Sequence, residues 1–285
     1  VDVLENAYNY FTKPNIKDEL NFYMGDYNAG FIKKDFAQKL FQIDEPNFSI
    51  LKDRLILNPS LNTFDKRSLF FLELANKLES LSIIKKRNEE ILVKTLCGAV
   101  HLCKVDRSLI PMFGIKAEGV HINGYTIKDG QKHIWIAKRA NVLVEPNKLD
   151  NLVGGAIPFG YNAFDTMVKE ANEEAGIKRE LAIKAHFMNS IHYKVEKMGG
   201  IRNDVAHIFA LDLPNDFTPT PNDGEVEGFY LYSPKELEEK LEDFESFKFN
   251  SWLVAYYFLW DNSLITKNKN KATLKKLFDE LTIAI

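Results

Sequence analysis

Glu170, Glu173 and Glu174 stand three and four residues apart. On an α-helix that spacing gathers them within a ~100° arc of one face. Carboxylates so placed repel by a few tenths of a kcal/mol per pair, roughly. They also lie away from the helix start, where the backbone dipole would favour acids. A divalent cation bridging them would turn the repulsion into binding. Carboxylate oxygens, completed by water and substrate phosphates, suit Mg²⁺. A solvated acidic face is the plainer alternative, and for an isolated E-x-x-E-E pattern it would be the default.

The preceding residues make the metal reading the better one. Gly154-Gly155-Ala156-Ile157-Pro158-Phe159-Gly160-Tyr161 is a glycine-rich loop, and its glycines let the backbone approach a ligand. The spacing then predicts a helix from Asn162, with Phe164, Met167, Val168 and Ala171 as its apolar stripe and Gly176 as a left-handed cap.

Loop and helix together resemble the Nudix box, G-x5-E-x7-R-E-U-x-E-E-x-G-U with U aliphatic. Gly155 matches the first glycine, Glu170 the glutamate of "RE", Ala171 the first U, Glu173 and Glu174 the paired glutamates, and Gly176-Ile177 the close. Tyr161 replaces the first glutamate and Lys169 the arginine. Losing both supporting partners is milder than losing one, which would strand a charge, and Lys169 can still pair with Glu173 at i+4. The resemblance implies a metal site from Gly155, Glu170, Glu173 and Glu174, with Glu170 and Glu174 as catalytic carboxylates and Mg²⁺ as cofactor, Mn²⁺ being an alternative. It also implies an αβα sandwich.

Strand patterns surround the box as that fold requires: Val120 to Ile127, His133 to Ala140, Ala185 to Val195, Val205 to Leu213 and Gly228 to Tyr232. Asn123-Gly124, Asp129-Gly130 and Gly199-Gly200 read as turns. The acidic turn at Asp223 to Glu227 is similar to one that supplies a further carboxylate in many Nudix proteins. Glu225 and Glu227 are its candidates, and strand alternation would put both on one face. Arg202 and Arg139 are the candidate phosphate contacts, since a guanidinium fork suits phosphate. The short motifs Arg87-Asn88-Glu89, Ile201-Arg202-Asn203-Asp204 and Phe247-Lys248-Phe249-Asn250 are similar to those of a two-domain Nudix group related to thiamine pyrophosphokinase. That likeness implies hydrolysis of thiamine diphosphate, or its oxy and oxo analogues, to the monophosphate plus phosphate. A nucleoside diphosphate derivative such as ADP-ribose or a nucleotide sugar, or a Nudix fold serving only to bind, are the rival readings.

The remaining features bound the answer. A chain of 285 residues is long enough for two domains. The boundary is placed near Pro111 to Gly114, giving a smaller α+β accessory domain over 1–112 and the Nudix domain over 113–285, an α+β protein overall. Lys33 to Phe41 and Phe64 to Leu81 read as helices, the second with Leu69, Leu72, Ala75, Leu78 and Leu81 as its stripe and Thr63 as cap. Ile91 to Val105 reads as extended. Pro234 to Leu241, Ser251 to Trp260 and Ala272 to Leu281 read as helices, with Lys267 to Lys271 a solvated hinge.

Forty acids against 37 bases leave a net charge of −3, which disfavours a dedicated nucleic-acid binder. Cys97 and Cys103 match no zinc spacing and read as buried thiols. Val1 to Asn15 lacks the basic and apolar character of a secretory leader. The longest apolar run, Trp252 to Trp260, falls short of the ~18 residues of a membrane span. The expectation is a soluble cytoplasmic enzyme of a small diphosphate substrate, without nucleic-acid or membrane partners and with a homodimer allowed.

Overall fold

A computed structural model describes residues 2–197 and 199–283. In chain order the elements are α1 (Val3–Thr12), β1 (Glu19–Met24), β2 (Tyr27–Lys33), α2 (Lys34–Ile43), β3 (Phe48–Leu51), β4 (Arg54–Leu57), α3 (Phe64–Ser80), β5 (Glu90–Lys94), β6 (His101–Asp106), β7 (Lys116–Lys128), β8 (Gln131–Arg139), β9 (Leu149–Asn151), β10 (Val153–Ala156), α4 (Ala163–Ala175), α5 (Arg179–Ala182), β11 (His186–Lys197), β12 (Gly200–Asp212), β13 (Val226–Tyr232), α6 (Pro234–Lys240), α7 (Phe249–Asp261), α8 (Asn268–Leu281) and β14 (Thr282–Ile283).

The first body is a four-stranded sheet ordered β2-β1-β4-β3, in which β1 and β4 run parallel. It shares one core with α2, α3 and the β5-β6 hairpin, centred on Phe22, Phe48, Phe70, Phe71 and Phe113. Thr63 caps α3 as the sequence predicts, accepting from the Lys66 N–H at 3.3 Å. The predicted stripe is rotated, however. Leu69, Leu72 and Leu81 are exposed, while Phe70, Phe71, Leu74, Ala75 and Leu78 are buried. Two apolar stripes compete on this helix, and the one carrying two phenylalanines removes more surface from water. The extended segment expected over Ile91 to Val105 is a hairpin. Cys103 is buried, as expected, but Cys97 is exposed.

The second body is a mixed sheet ordered β13-β8-β7-β12-β11-β14, with β10 added to β7 and β9 to β8. Only β7 and β12 pair in parallel along that path. Alternation along β7 sends Val120 and Ile122 toward α4 and Tyr125 toward α7. Helices therefore cover both faces: α4 and α5 on one, α1, α6, α7 and α8 on the other. This is the expected αβα sandwich.

Within residues 1–112, expected to act as one accessory unit, α1 goes elsewhere. Leu4, Ala7 and Phe11 are buried with α7 and α8, and Phe11 stacks on Trp252 at 6.4 Å. The junction at Pro111 to Gly114 is tied to both bodies. Phe31 donates to the Phe113 carbonyl at 2.9 Å, and Ile201 to that of Pro111 at 2.8 Å.

Two loop readings are corrected. Asn123-Gly124 lies inside β7. The glycine is there for packing, because a Cβ would sit 2.1 Å from the Leu152 Cδ2. The hinge at Lys267 to Lys271 is mostly the first turn of α8, where the buried Asn270 donates to Glu238 at 2.9 Å. Among the described residues, no helix is long and apolar enough to cross a membrane.

Candidate functional site

Asn162 starts α4 by accepting from the Asp165 N–H at 2.8 Å, and Gly176 ends it in the left-handed conformation at φ +66°. The helix buries Met167, Val168, Ala171 and Ala175 against the sheet. Glu174 lies on that same inward side, only 7% exposed, and accepts the Gly154 N–H at 2.9 Å. Glu170 packs on the next residue of β10. A Cβ on Gly155 would fall 2.5 Å from the Glu170 Cγ, so the glycine is what lets strand and helix interlock.

Charge is crowded here. Burial pushes the Glu174 carboxyl well above the ordinary range, and the Asp150 and Glu170 carboxylates add to the rise. The Gly154 N–H and Lys248 oppose it. Burial also raises Glu170, with Glu173 and Glu89 contributing and Lys169 opposing. Glu173 points outward, bound to Lys169 at 2.5 Å, and the same ammonium reaches Glu170 at 3.2 Å. The Lys169–Glu173 pair expected from the spacing therefore forms. Among the described residues, no three His, Cys, Asp or Glu side chains are gathered tightly enough to hold a metal ion as they stand.

Glu225 and Glu227 are both exposed at the start of β13. A bulge between Val226 and Gly228 makes Glu227 the extra residue, so the simple alternation that put both on one face does not hold. Arg139 and Arg202, the expected phosphate contacts, are engaged within the protein. Arg139 is buried, donating to Asp150 at 2.9 Å and to the Val144 carbonyl at 3.1 Å. Arg202 sits within β12 and donates twice to Asp204, at 2.8 and 2.6 Å. A guanidinium stays charged, and one drawn out of water is stabilised by a counter-ion, so each is held by its carboxylate partner.

Asp150 is the residue that sequence reasoning missed. It is 4% exposed and binds Arg139 at 2.9 Å, Lys248 at 3.1 Å, the Asn151 N–H at 2.8 Å and the Ser251 hydroxyl. Burial alone would raise its pKa, but Lys248 and Arg139 bring it down to about 2. This network ties β8, β9 and α7 together beside Gly154. No local pattern around Leu149-Asp150-Asn151 announces it, because its side-chain partners are 11 to 101 residues away in the chain. His121 stands next to it. Its Nδ1 meets Asn151 Oδ1 at 2.9 Å and its Nε2 meets the Asn250 amide at 3.3 Å. Burial, reinforced by Lys248, lowers its pKa to about 4.

The first body reaches the loop as well. Phe159 donates its N–H to the Glu90 carbonyl at 2.7 Å, and its ring packs 6.0 Å from Phe64. Lys94 pairs with Glu118 at 2.7 Å, and Glu118 in turn accepts from His207 at 3.0 Å.

The fold and the site together define an αβα sandwich whose glycine-rich strand end clasps an acid-bearing helix. Residues 119–253 match the NUDIX domain model, and residues 3–117 match a model described as a domain of unknown function, DUF4743. The chain is 33% identical over 247 residues to Nudix hydrolase 24, chloroplastic, of Arabidopsis thaliana, covering 86% of this chain and 68% of that protein. It is 38% identical over 180 residues to Nudix hydrolase 20, chloroplastic, of the same plant, covering 63% and 48%. It is 33% identical over 244 residues to the uncharacterized protein YJR142W of Saccharomyces cerevisiae, covering 79% and 70%. Among solved structures, DR0079 from Deinococcus radiodurans aligns with a TM-score of 0.46 and 18% identity over 59% of this chain and 98% of that one. The chain belongs to the Nudix hydrolase family. The Arabidopsis names place those two relatives in the chloroplast, not the cytoplasm.

Proposed function

We propose that this chain is a Mg²⁺-dependent pyrophosphohydrolase that cleaves thiamine diphosphate, or its oxy and oxo analogues, to the monophosphate plus phosphate. The observation that carries the catalytic part is the excess of negative charge at the clasp. The Glu170 and Asp150 carboxylates both bear on the buried Glu174 carboxyl, Asp150 being itself paired with Arg139 and Lys248. That is a donor set a hard dication fits. Glu170, Glu174 and the Gly155 carbonyl would hold the ion, joined by Glu173 once it leaves Lys169. The bound ion would neutralise phosphoryl charge and acidify a water.

The protein's own groups do the rest. The Gly154 N–H fixes Glu174, while Glu170, packed on Gly155, would serve either as a further ligand or as the base that takes a proton from the attacking water. On the opposite sheet face, His121, Asn250, Tyr193 and Asp204 form a polar line leading away from Gly154. Asp204 Oδ1 and Asn250 Oδ1 are buried there without a partner. The thiamine part of the reading is supported by the short motifs Arg87-Asn88-Glu89, Ile201-Arg202-Asn203-Asp204 and Phe247-Lys248-Phe249-Asn250.

The test is a panel of diphosphates with Mg²⁺, scored for monophosphate release. Thiamine diphosphate or its oxy analogue is expected to turn over fastest. Activity on ADP-ribose with none on the thiamine compounds would replace the substrate. Glu174→Gln keeps an acceptor for Gly154 and is expected to lower kcat by about 100-fold or more, in line with loss of a group that stabilises transition-state charge. Unchanged hydrolysis would remove the clasp from the mechanism.

A further inference from the structure

Three aromatic side chains of the catalytic loop and the first turn of its helix face water: Phe159, Tyr161 and Phe164 are all exposed. The clasp of Gly155, Glu170 and Glu174 uses none of them. Apolar surface left open beside a catalytic loop is what a ligand groove requires.

Phe159 is fixed in place by the first body. Its N–H is held by the Glu90 carbonyl at 2.7 Å. Its ring meets that of Phe64, at the start of α3, with centroids 6.0 Å apart and planes 34° from parallel. The Lys104 ammonium stands 5.3 Å from the centre of the same ring and is paired with Glu90 at 2.7 Å.

A cavity adjoins this aromatic pair. Phe64, Ser68 and Leu72 recur at i, i+4 and i+8 and so share one face of α3. Ser68 and Leu72, with Asn88, Glu90 and Lys104, line a cavity of about 260 Å³ between α3 and the β5-β6 hairpin. That volume is near the lower end of small-molecule sites, which run from about 300 to 1,000 Å³. Leu72 belongs to the α3 stripe that the phenylalanine core leaves unused, and this cavity is where it faces.

The reach also fits. Gly155, a proposed metal ligand, is four residues from Phe159, so their Cα atoms lie at most about 14 Å apart. Ala156, between them, packs against the core of the first body. A ring joined to a diphosphate by a short linker can therefore lie on Phe159 while its phosphates lie at the clasp.

We propose that Phe159, backed by Phe64, seats the aromatic ring of the diphosphate substrate, with the cavity beside Leu72 taking the far edge of that ring. The first body would then select which organic group is accepted. This rests on the reading of the chain as a diphosphate hydrolase. Lys104, a charge on a flexible stem, swings off the Phe159 face as the ring arrives.

The test uses the full chain with Mg²⁺. It compares two ring-bearing diphosphates, thiamine diphosphate and ADP-ribose, with methyl diphosphate, which has no ring. Phe159→Ala is expected to raise KM for the ring-bearing substrate that the parent prefers by about tenfold, with kcat changing less, and to leave methyl diphosphate within twofold. Phe159→Tyr should keep the parent values, Phe159→Leu should lose most of the stacking, and Phe64→Ala should show a smaller rise in KM. Tyr27→Ala, which removes an exposed aromatic of the first body's sheet, should match the parent. Calorimetry with thiamine monophosphate and AMP reads the seat without turnover, and a loss of about tenfold is expected there too. Thermal melting of each variant reports folding. A folded Phe159→Ala variant that keeps KM and monophosphate binding within twofold of the parent overturns the seat, as does an equal loss on methyl diphosphate. Should the parent hydrolyse no diphosphate yet bind a monophosphate through Phe159, the activity reading fails and the seat stands. A parent that neither hydrolyses nor binds any ring-bearing probe removes both.

Discussion

Replacing Asp150 by Asn removes one charge and almost no volume, and the structure sets the size of the effect. Lys248 and Arg139 hold the Asp150 carboxyl down at about 2, below its ordinary 3.8. At about 1.36 kcal/mol per pH unit, that lowering is worth about 2–3 kcal/mol of stability at pH 7, which a neutral side chain forfeits. The new amide would also turn N–H groups toward Arg139 or Lys248, leaving two poorly solvated cations without their counter-charge. Breaking buried pairs in this way costs about 3–5 kcal/mol, so the expected range is about 2.5–5 kcal/mol.

The sign with pH follows from the depressed value. The contribution is fully present above about 4 and is lost as pH falls through about 2, so the gap between parent and variant should shrink by roughly 1 kcal/mol at pH 3. Urea denaturation of both proteins at pH 7 and pH 3, each fitted for midpoint and slope, measures this. A gap under about 1 kcal/mol at pH 7, or one of equal size at both pH values, would refute the view that Asp150 is the charged anchor beneath the catalytic loop.

Gly155→Ala forces a Cβ to within 2.5 Å of the Glu170 Cγ. Glu170 must swing away, and kcat is expected to fall about tenfold or more with melting lowered by only a few degrees; full activity would show that this clasp is not needed. His121 is neutral in the folded protein at about 4 against 6.5 when unperturbed. Stability should therefore decline as pH falls from about 6.5 to 4, by roughly 3 kcal/mol from this group, and the His121→Gln variant should show a flatter profile. Parallel profiles for the two would remove His121 as the cause.

Much of the clasp is legible in the residues because its signals are local. The glycines, the Asn162 cap, the inward stripe and the Gly176 stop all act within one or two turns of α4, so spacing suffices to place Glu170 and Glu174 on one helix beside one loop. What spacing could not show is which of the three carboxylates turns inward. Glu174 shares the arc with Met167 and Ala171, while Glu173 is left to solvent and Lys169. The stripe on α3 was misplaced for a related reason: its sequence offers two apolar faces, and only the phenylalanine core of the first body selects between them.

The arginines mark the limit of such reading. From type and position, Arg139 and Arg202 are sound phosphate ligands, and Arg87 is one end of a short polar motif. Asp150, which occupies Arg139, lies 11 residues away on another strand, whereas Asp204 stands two residues from Arg202 on the same strand face and is within reach of simple alternation. Residue types within a single helix-loop unit thus determined by themselves that this chain carries a carboxylate-rich Nudix box in a sheet-and-helix fold. Only the tertiary structure decided where charge is buried, which cations are already neutralised, and that the first body meets the catalytic loop. The physical reason is range. Helix periodicity and capping act over a few residues, whereas desolvation and ion pairing depend on whatever the folded chain brings within about 4 Å.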